Sequence, residues 1–259
     1  MFSTKFPIII FALIIILTVP TQAQPFRTPS FVEGEELRYK VTFYQKTSSP
    51  FNTPHPLEII NKIHRTTDEK KRRIIKHTST EHRSDKTTAM WVFNYSDTVP
   101  TLKCLNFSRK ICSPLNEEFF YEYADLENPF LIFPENVAHA GAIPFLMSAI
   151  PWEEEKMMDA YVWAQDGKPT HIFVLYSGED EIKVPAGHFK AWRVITKVDK
   201  KEVIEPWGVF GNLIARLIPE FVFWYDCEPP HRLLKIKVDF GVTSAGAPVM
   251  YQELYSIKH

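Results

Sequence analysis

Leu234-Lys-Ile-Lys-Val-Asp-Phe240 decides the fold class, because apolar and charged side chains alternate there without a break. A period of two places every second side chain on one face of a β-strand, so the stretch predicts a half-buried strand. Leu37–Phe43 repeats the pattern near the other end of the chain. Shorter apolar or alternating runs are predicted as further strands: Ile59–Ile63, Met90–Tyr95, Phe119–Tyr123, Tyr161–Trp163, His171–Tyr176, Glu181–Val184, Phe189–Val198, Phe221–Tyr225 and Val249–Ile257.

Two apolar stripes have helical spacing instead. Ile143, Leu146, Met147 and Ile150 follow the i, i+3, i+4, i+7 rule, and Pro151 ends the run. A second stripe falls in Trp207–Ile218. Because the strands succeed one another through short turns, with few helices between them, we predict an antiparallel sheet covered by one or two short helices.

The composition excludes several classes of protein. With 45% hydrophobic and 24% charged residues, the chain is typical of a globular protein. Its 20 prolines against 9 glycines exclude collagen-like and flexible-linker sequences. The 30 Lys and Arg residues are balanced by 31 Asp and Glu residues, which argues against nucleic acid as a partner.

The N-terminus has the layout of a secretory signal. Lys5 precedes the apolar run Phe6–Val19, and Thr21-Gln-Ala23 offers small residues at a cleavage site. We therefore predict a signal peptide over residues 1–23, a single domain over residues 24–259, and a location in the periplasm or outside the cell. The alternative is an uncleaved N-terminal anchor, although the run is shorter than the roughly 20 residues of a spanning helix.

The cysteines allow one disulfide. Cys104 and Cys112 flank a segment that is interpreted as a hairpin with its turn near residues 106–109, and cysteines facing each other across it can pair in an oxidising compartment. The unpaired alternative stays open, since the sequence does not reveal the cross-strand register. Cys227 is then the odd thiol.

Three motifs resemble the bacterial exported-protein family Domain of Unknown Function 3108. They are Phe31-Val-Glu-Gly-Glu-Glu-Leu-Arg-Tyr39, the stretch Gly178–Val194 with its Val-Pro-Ala-Gly-His-Phe core, and the aromatic strand, proline turn and basic-apolar strand of Phe223–Ile236. The resemblance implies an exported, mainly β (α+β) protein with a strongly curved antiparallel sheet or half-barrel. It implies no established activity.

Motifs for catalysis or metal binding are not found. His77 and His82 bracket Glu81, but their spacing misses a shared helical face, and on a strand they point to opposite sides. The chain also lacks a Gly-x-Ser-x-Gly elbow, a phosphate-binding glycine loop and a Cys-x-x-Cys pair. We therefore predict no cofactor, no metal and no catalytic residue.

Three functions remain as hypotheses. The first is a non-enzymatic binding or carrier module for an apolar small molecule, a lipid or another envelope-derived ligand. Its predicted cavity-lining residues are Trp163, Trp192, Phe210, Leu213, Phe223 and Trp224. The second is an envelope assembly protein that docks on a protein partner through a sheet edge or the 207–218 stripe. The third is a hydrolase without a recognisable motif.

Overall fold

The structure, a computed structural model, describes residues 26–44, 56–97, 102–114, 118–127, 137–163, 169–199, 220–239 and 249–259. The strands of this part of the chain are β1 (Glu36–Tyr44), β2 (Pro56–Thr67), β3 (Arg73–Arg83), β4 (Thr88–Ser96), β5 (Cys104–Cys112), β6 (Glu118–Asp125), β7 (Val137–His139), β8 (Met157–Trp163), β9 (Thr170–Val184), β10 (Gly187–Val198), β11 (Glu220–Asp226), β12 (Leu233–Asp239) and β13 (Val249–Lys258). The signal segment and the Trp207–Ile218 stripe lie outside the described residues.

All of these strands belong to one sheet, in the order β6-β5-β4-β3-β2-β1-β13-β12-β11-β10-β9-β8-β7. The first strand pairs with the last, so the two halves of the chain meet at β1 and β13. The mainly β prediction is confirmed, with one exception to antiparallel pairing, because β7 runs parallel to β8. His171–Tyr176 and Glu181–Val184, predicted as two strands, are parts of the single long strand β9.

The alternating pattern translates directly into burial. In β12, Leu234, Ile236 and Val238 are buried, whereas the charged residues between them are half-buried. Phe240, the last residue of the predicted alternation, lies outside the described residues. The strand prediction is therefore confirmed where the structure describes this stretch.

A short helical segment covers the concave face of the sheet. We call residues 140–149 the covering segment: a 3-10 turn (Ala140–Ala142), the single-turn helix α1 (Ile143–Leu146) and a second 3-10 turn (Met147–Ala149). Pro144 lies in the first turn of α1, where its missing N–H costs no hydrogen bond. The predicted apolar face is confirmed, since Ile143, Leu146, Met147 and Ile150 are all buried.

Contacts across the concave face define the curvature of the sheet. His139, at the end of the edge strand β7, lies 4.7 Å from the ring of Phe107 in β5, measured between ring centroids. β5 is next to the opposite edge of the sheet. The sheet must therefore curl until its two ends approach, which confirms the predicted strongly curved or half-barrel arrangement.

The disulfide prediction is wrong. Cys104 and Cys112 are the first and last residues of the same strand, β5, and both are free thiols. At about 3.3 Å per residue, their Cα atoms are roughly 26 Å apart, whereas a disulfide requires less than about 7 Å. The physical reason is that residues 106–109, interpreted as a turn, instead pair with β4 as extended backbone.

In the described ranges, no helix combines the length and apolar character that crossing a bilayer requires.

Candidate ligand-binding cavity

A cavity of about 430 Å³ lies between the concave face of the sheet and the covering segment. Its walls come from β1 to β4, from β7, β12 and β13, from the covering segment, and from the segments that precede β1 and β12. Small-molecule sites typically measure about 300 to 1,000 Å³, so the volume suits a small ligand. Much of the wall is apolar, including Leu37, Ile59, Ile63, Phe93 and Phe145.

Strand register sets a row of polar side chains across this wall. Asn61 of β2 pairs with Ser79 of β3, which pairs with Trp91 of β4, and all three line the cavity. His77 precedes Ser79 by two positions and therefore faces the same side of the sheet. With strands about 4.8 Å apart and same-face residues about 7 Å apart, this polar row and His77 lie within roughly 10 Å of one another along the wall.

His77 is buried among aromatic rings. Its side chain is 3% exposed and packs between Phe93 and Phe145, at centroid distances of 5.6 and 4.9 Å. Burial lowers the pKa of His77 to about 4, because the charged imidazolium would lose its hydration without gaining a partner. His77 is therefore neutral at physiological pH.

His139 is the second buried histidine of the wall. Its Nδ1 accepts a hydrogen bond of 3.0 Å from the backbone N–H of Gly141, which ties the end of β7 to the covering segment. Burial, together with the nearby positive charge of Arg109, lowers the pKa of His139 to about 4. Both histidines thus offer the cavity uncharged imidazole rings.

Three polar atoms of cavity-lining residues have no hydrogen-bond partner among the described residues. They are Asn61 Oδ1, His77 Nδ1 and Trp91 Nε1, and each is shielded from solvent. A buried polar atom without a partner costs roughly 1–3 kcal/mol, and such atoms are uncommon in folded proteins. Their concentration on one wall is the feature of this cavity that most needs an explanation.

An ion pair stands at the rim of the cavity, where Arg232 meets Glu35. Arg232 Nη2 lies 2.8 Å from Glu35 Oε1, and Nε lies 3.1 Å from both carboxylate oxygens. The carboxylate of Glu35 is only 5% exposed and faces a guanidinium that is itself largely buried. The two residues therefore satisfy each other and leave little charge for a ligand.

Of the six residues predicted to line a cavity, the three whose side chains the structure describes do not line this one. Trp192 and Phe223 are buried in the sheet core but do not line this cavity, nor does Trp224, whose Nε1 donates to Asp180 at 2.8 Å. The side chain of Trp163, together with Phe210 and Leu213, lies outside the described residues. Sequence reasoning placed the aromatic residues on strands correctly but could not tell which strands surround a space.

The polar residues that do line the cavity were missed as a site. In the sequence, His77 and His82 were weighed only as metal ligands. If the segment His77–His82 is a strand, however, His77 and Ser79 lie on one face of the sheet. That strand alternative is confirmed, because His77 is buried and His82 is exposed. Among the described residues there is no cluster of three or more metal-ligating side chains.

Comparisons with known proteins identify neither a family nor an activity for this chain. No family model matches the chain, so the likeness to Domain of Unknown Function 3108 stays a resemblance. No curated protein matches it either.

Three solved structures are similar in outline. A β-barrel-like protein of Domain of Unknown Function 1849 from Brucella abortus is 9% identical, with a TM-score of 0.48, covering 88% of this chain and 98% of that one. A Bacteroides fragilis protein described as exported, with a YmcC-like fold, is 12% identical, with a TM-score of 0.38, covering 91% and 100%. A Parabacteroides distasonis protein described as a lipoprotein is 10% identical, with a TM-score of 0.36, covering 92% and 100%. Similarity of this degree carries no inference about ligand or activity.

Proposed function

We propose that this chain is an exported, non-enzymatic binding or carrier protein whose cavity takes an apolar or amphipathic small molecule. The observation that carries the proposal is the cavity itself: about 430 Å³, walled largely by apolar side chains and covered by a helical segment. Apolar walls with a few placed polar groups are typical of small-molecule sites. The secretory signal predicted at residues 1–23 supports a role in the cell envelope or outside the cell.

The covering segment is anchored rather than loosely placed. Tyr225 of β11 donates a hydrogen bond of 2.9 Å to the carbonyl of Pro144, and Trp152 Nε1 donates to the carbonyl of Met147 at 3.2 Å. Such anchors hold the segment over the space beneath it. A preformed cavity binds without the cost of first ordering its walls.

The test is binding of N-phenyl-1-naphthylamine, an uncharged apolar dye that fluoresces in apolar surroundings. We expect saturable binding with one site per chain. Ser79→Trp places a large side chain in the middle of the polar row and should weaken dye binding at least about tenfold, because it fills the space that a ligand needs.

Thr80→Trp is the matched control, since the next residue along β3 points to the opposite face of the sheet. It should leave dye binding unchanged. The absence of saturable binding by the unmodified protein, or equal binding by the Ser79→Trp variant, would contradict a binding role for this cavity.

A further inference from the structure

The polar wall of the cavity offers hydrogen-bonding groups of both kinds. Asn61 Oδ1 is an acceptor and Trp91 Nε1 is a donor, whereas His77 Nδ1 can take either role according to its tautomer. Modest rotation about the last torsion of each side chain, which is a soft coordinate, would turn these atoms toward an occupant.

The charged residues of the wall are already paired. Glu35 is held by Arg232, and Glu81 accepts a hydrogen bond of 2.9 Å from Arg83. The cation of Arg109 lies 4.4 Å from the ring of Trp91, on the β5 side and outside the cavity lining. An ionic ligand would therefore lose its hydration in this cavity without gaining a counter-charge of its own.

Resting on the proposed binding function, we propose that the ligand is an uncharged amphipathic molecule. Its polar group, an amide or hydroxyl that both donates and accepts hydrogen bonds, sits against Asn61, His77 and Trp91. Its apolar part occupies the space bounded by Ile59, Ile63 and Phe145. Such an occupant satisfies the three buried atoms that the protein leaves without partners, and a purely apolar occupant does not.

The volume limits the size of this molecule. At about 430 Å³, the cavity lies in the lower part of the range of about 300 to 1,000 Å³ that small-molecule sites occupy. A twelve-carbon chain with a small polar head group is a small molecule suited to such a site. A matched set of probes is therefore dodecanamide, dodecanoate and dodecylammonium. The three share a twelve-carbon chain, and their head groups are neutral, negative and positive, respectively.

The experiment measures displacement of N-phenyl-1-naphthylamine by these three probes below their aggregation concentrations, near pH 8, where an ordinary carboxyl is ionised. We expect dodecanamide to compete at least about tenfold more strongly than either charged probe, because burying an unpaired charge costs far more than burying a paired amide. Equal or stronger competition by dodecanoate or dodecylammonium would overturn the inference, while dye binding would still support the proposed function. Failure of the dye to bind would remove both.

Two variants connect the preference to the polar wall. His77→Phe and Trp91→Phe each remove one polar atom and keep a ring, so each should weaken dodecanamide several-fold more than it weakens the dye. His82→Phe, on the exposed face of the same strand, is the matched control and should change neither. Thermal unfolding checks that each variant is folded. Unchanged competition by dodecanamide in both folded variants would contradict the assignment of its head group to this wall.

Discussion

Replacing His77 by phenylalanine should make the protein both more stable and less sensitive to acid. His77 is almost fully buried between two aromatic rings, and its Nδ1 has no partner among the described residues. Removing that atom removes a desolvation cost of roughly 1–3 kcal/mol, partly offset by the larger volume of phenylalanine. Near pH 7 we therefore expect the free energy of unfolding to rise by about 1 kcal/mol.

The pH dependence provides a sharper test. Since the pKa of His77 falls from its ordinary value of 6.5 to about 4 on folding, the unfolded chain takes up a proton first as the pH drops. The contribution of neutral His77 to the free energy of unfolding is therefore intact above pH 6.5 and is lost as the pH falls toward about 4. Linkage gives a loss of about 2 kcal/mol between pH 7 and pH 5 from this one side chain.

Urea denaturation of the unmodified protein and of the His77→Phe variant near pH 7 and pH 5 measures this loss directly. The stability advantage of the variant should grow by about 2 kcal/mol at the lower pH, because phenylalanine has no proton to bind. His82→Phe, on the exposed face of β3, should lose stability in parallel with the unmodified protein. Parallel loss in the His77→Phe variant would refute the conclusion that His77 is buried in its neutral form.

Three further predictions concern the thiols, the rim and the covering segment. Burial raises the pKa of Cys104 to about 12, so this thiol should react slowly with a disulfide reagent in the native protein. After denaturation without reductant, all 3 cysteines should react as free thiols. A count of one reactive thiol per chain would indicate a disulfide. Arg232→Met should cost about 3 kcal/mol in urea denaturation by leaving the buried carboxylate of Glu35 without its guanidinium partner, whereas Lys62→Met, which removes the partner of Glu36 at a pair whose lysine side chain is 56% exposed, should cost less than about 1 kcal/mol. Tyr225→Phe should lower the free energy of unfolding by about 1 kcal/mol through loss of its hydrogen bond to the covering segment; an unchanged value would show that this bond does not hold the segment.

Much of the fold could be predicted from local patterns. Alternation identified strands such as β1 and β12, and helical spacing identified the buried face of the covering segment. These patterns succeed because burial repeats every two residues along a strand and about every 3.6 along a helix, whatever the rest of the chain does. The same reasoning failed at residues 104–112, where polar residues resembled a turn but the neighbouring strand β4 keeps them extended.

The candidate site depended on partners far apart in the chain. Arg232 meets Glu35 across 197 positions, and the hydroxyl of Tyr39 reaches the carbonyl of Leu233 across 194. By itself, the sequence determined the class of fold and the buried faces of elements such as β12 and the covering segment. Only the tertiary structure decided which strands adjoin, how far the sheet curls and where a cavity remains. The physical reason is that periodicity is a local property of the chain, whereas register and curvature arise from pairing between distant strands.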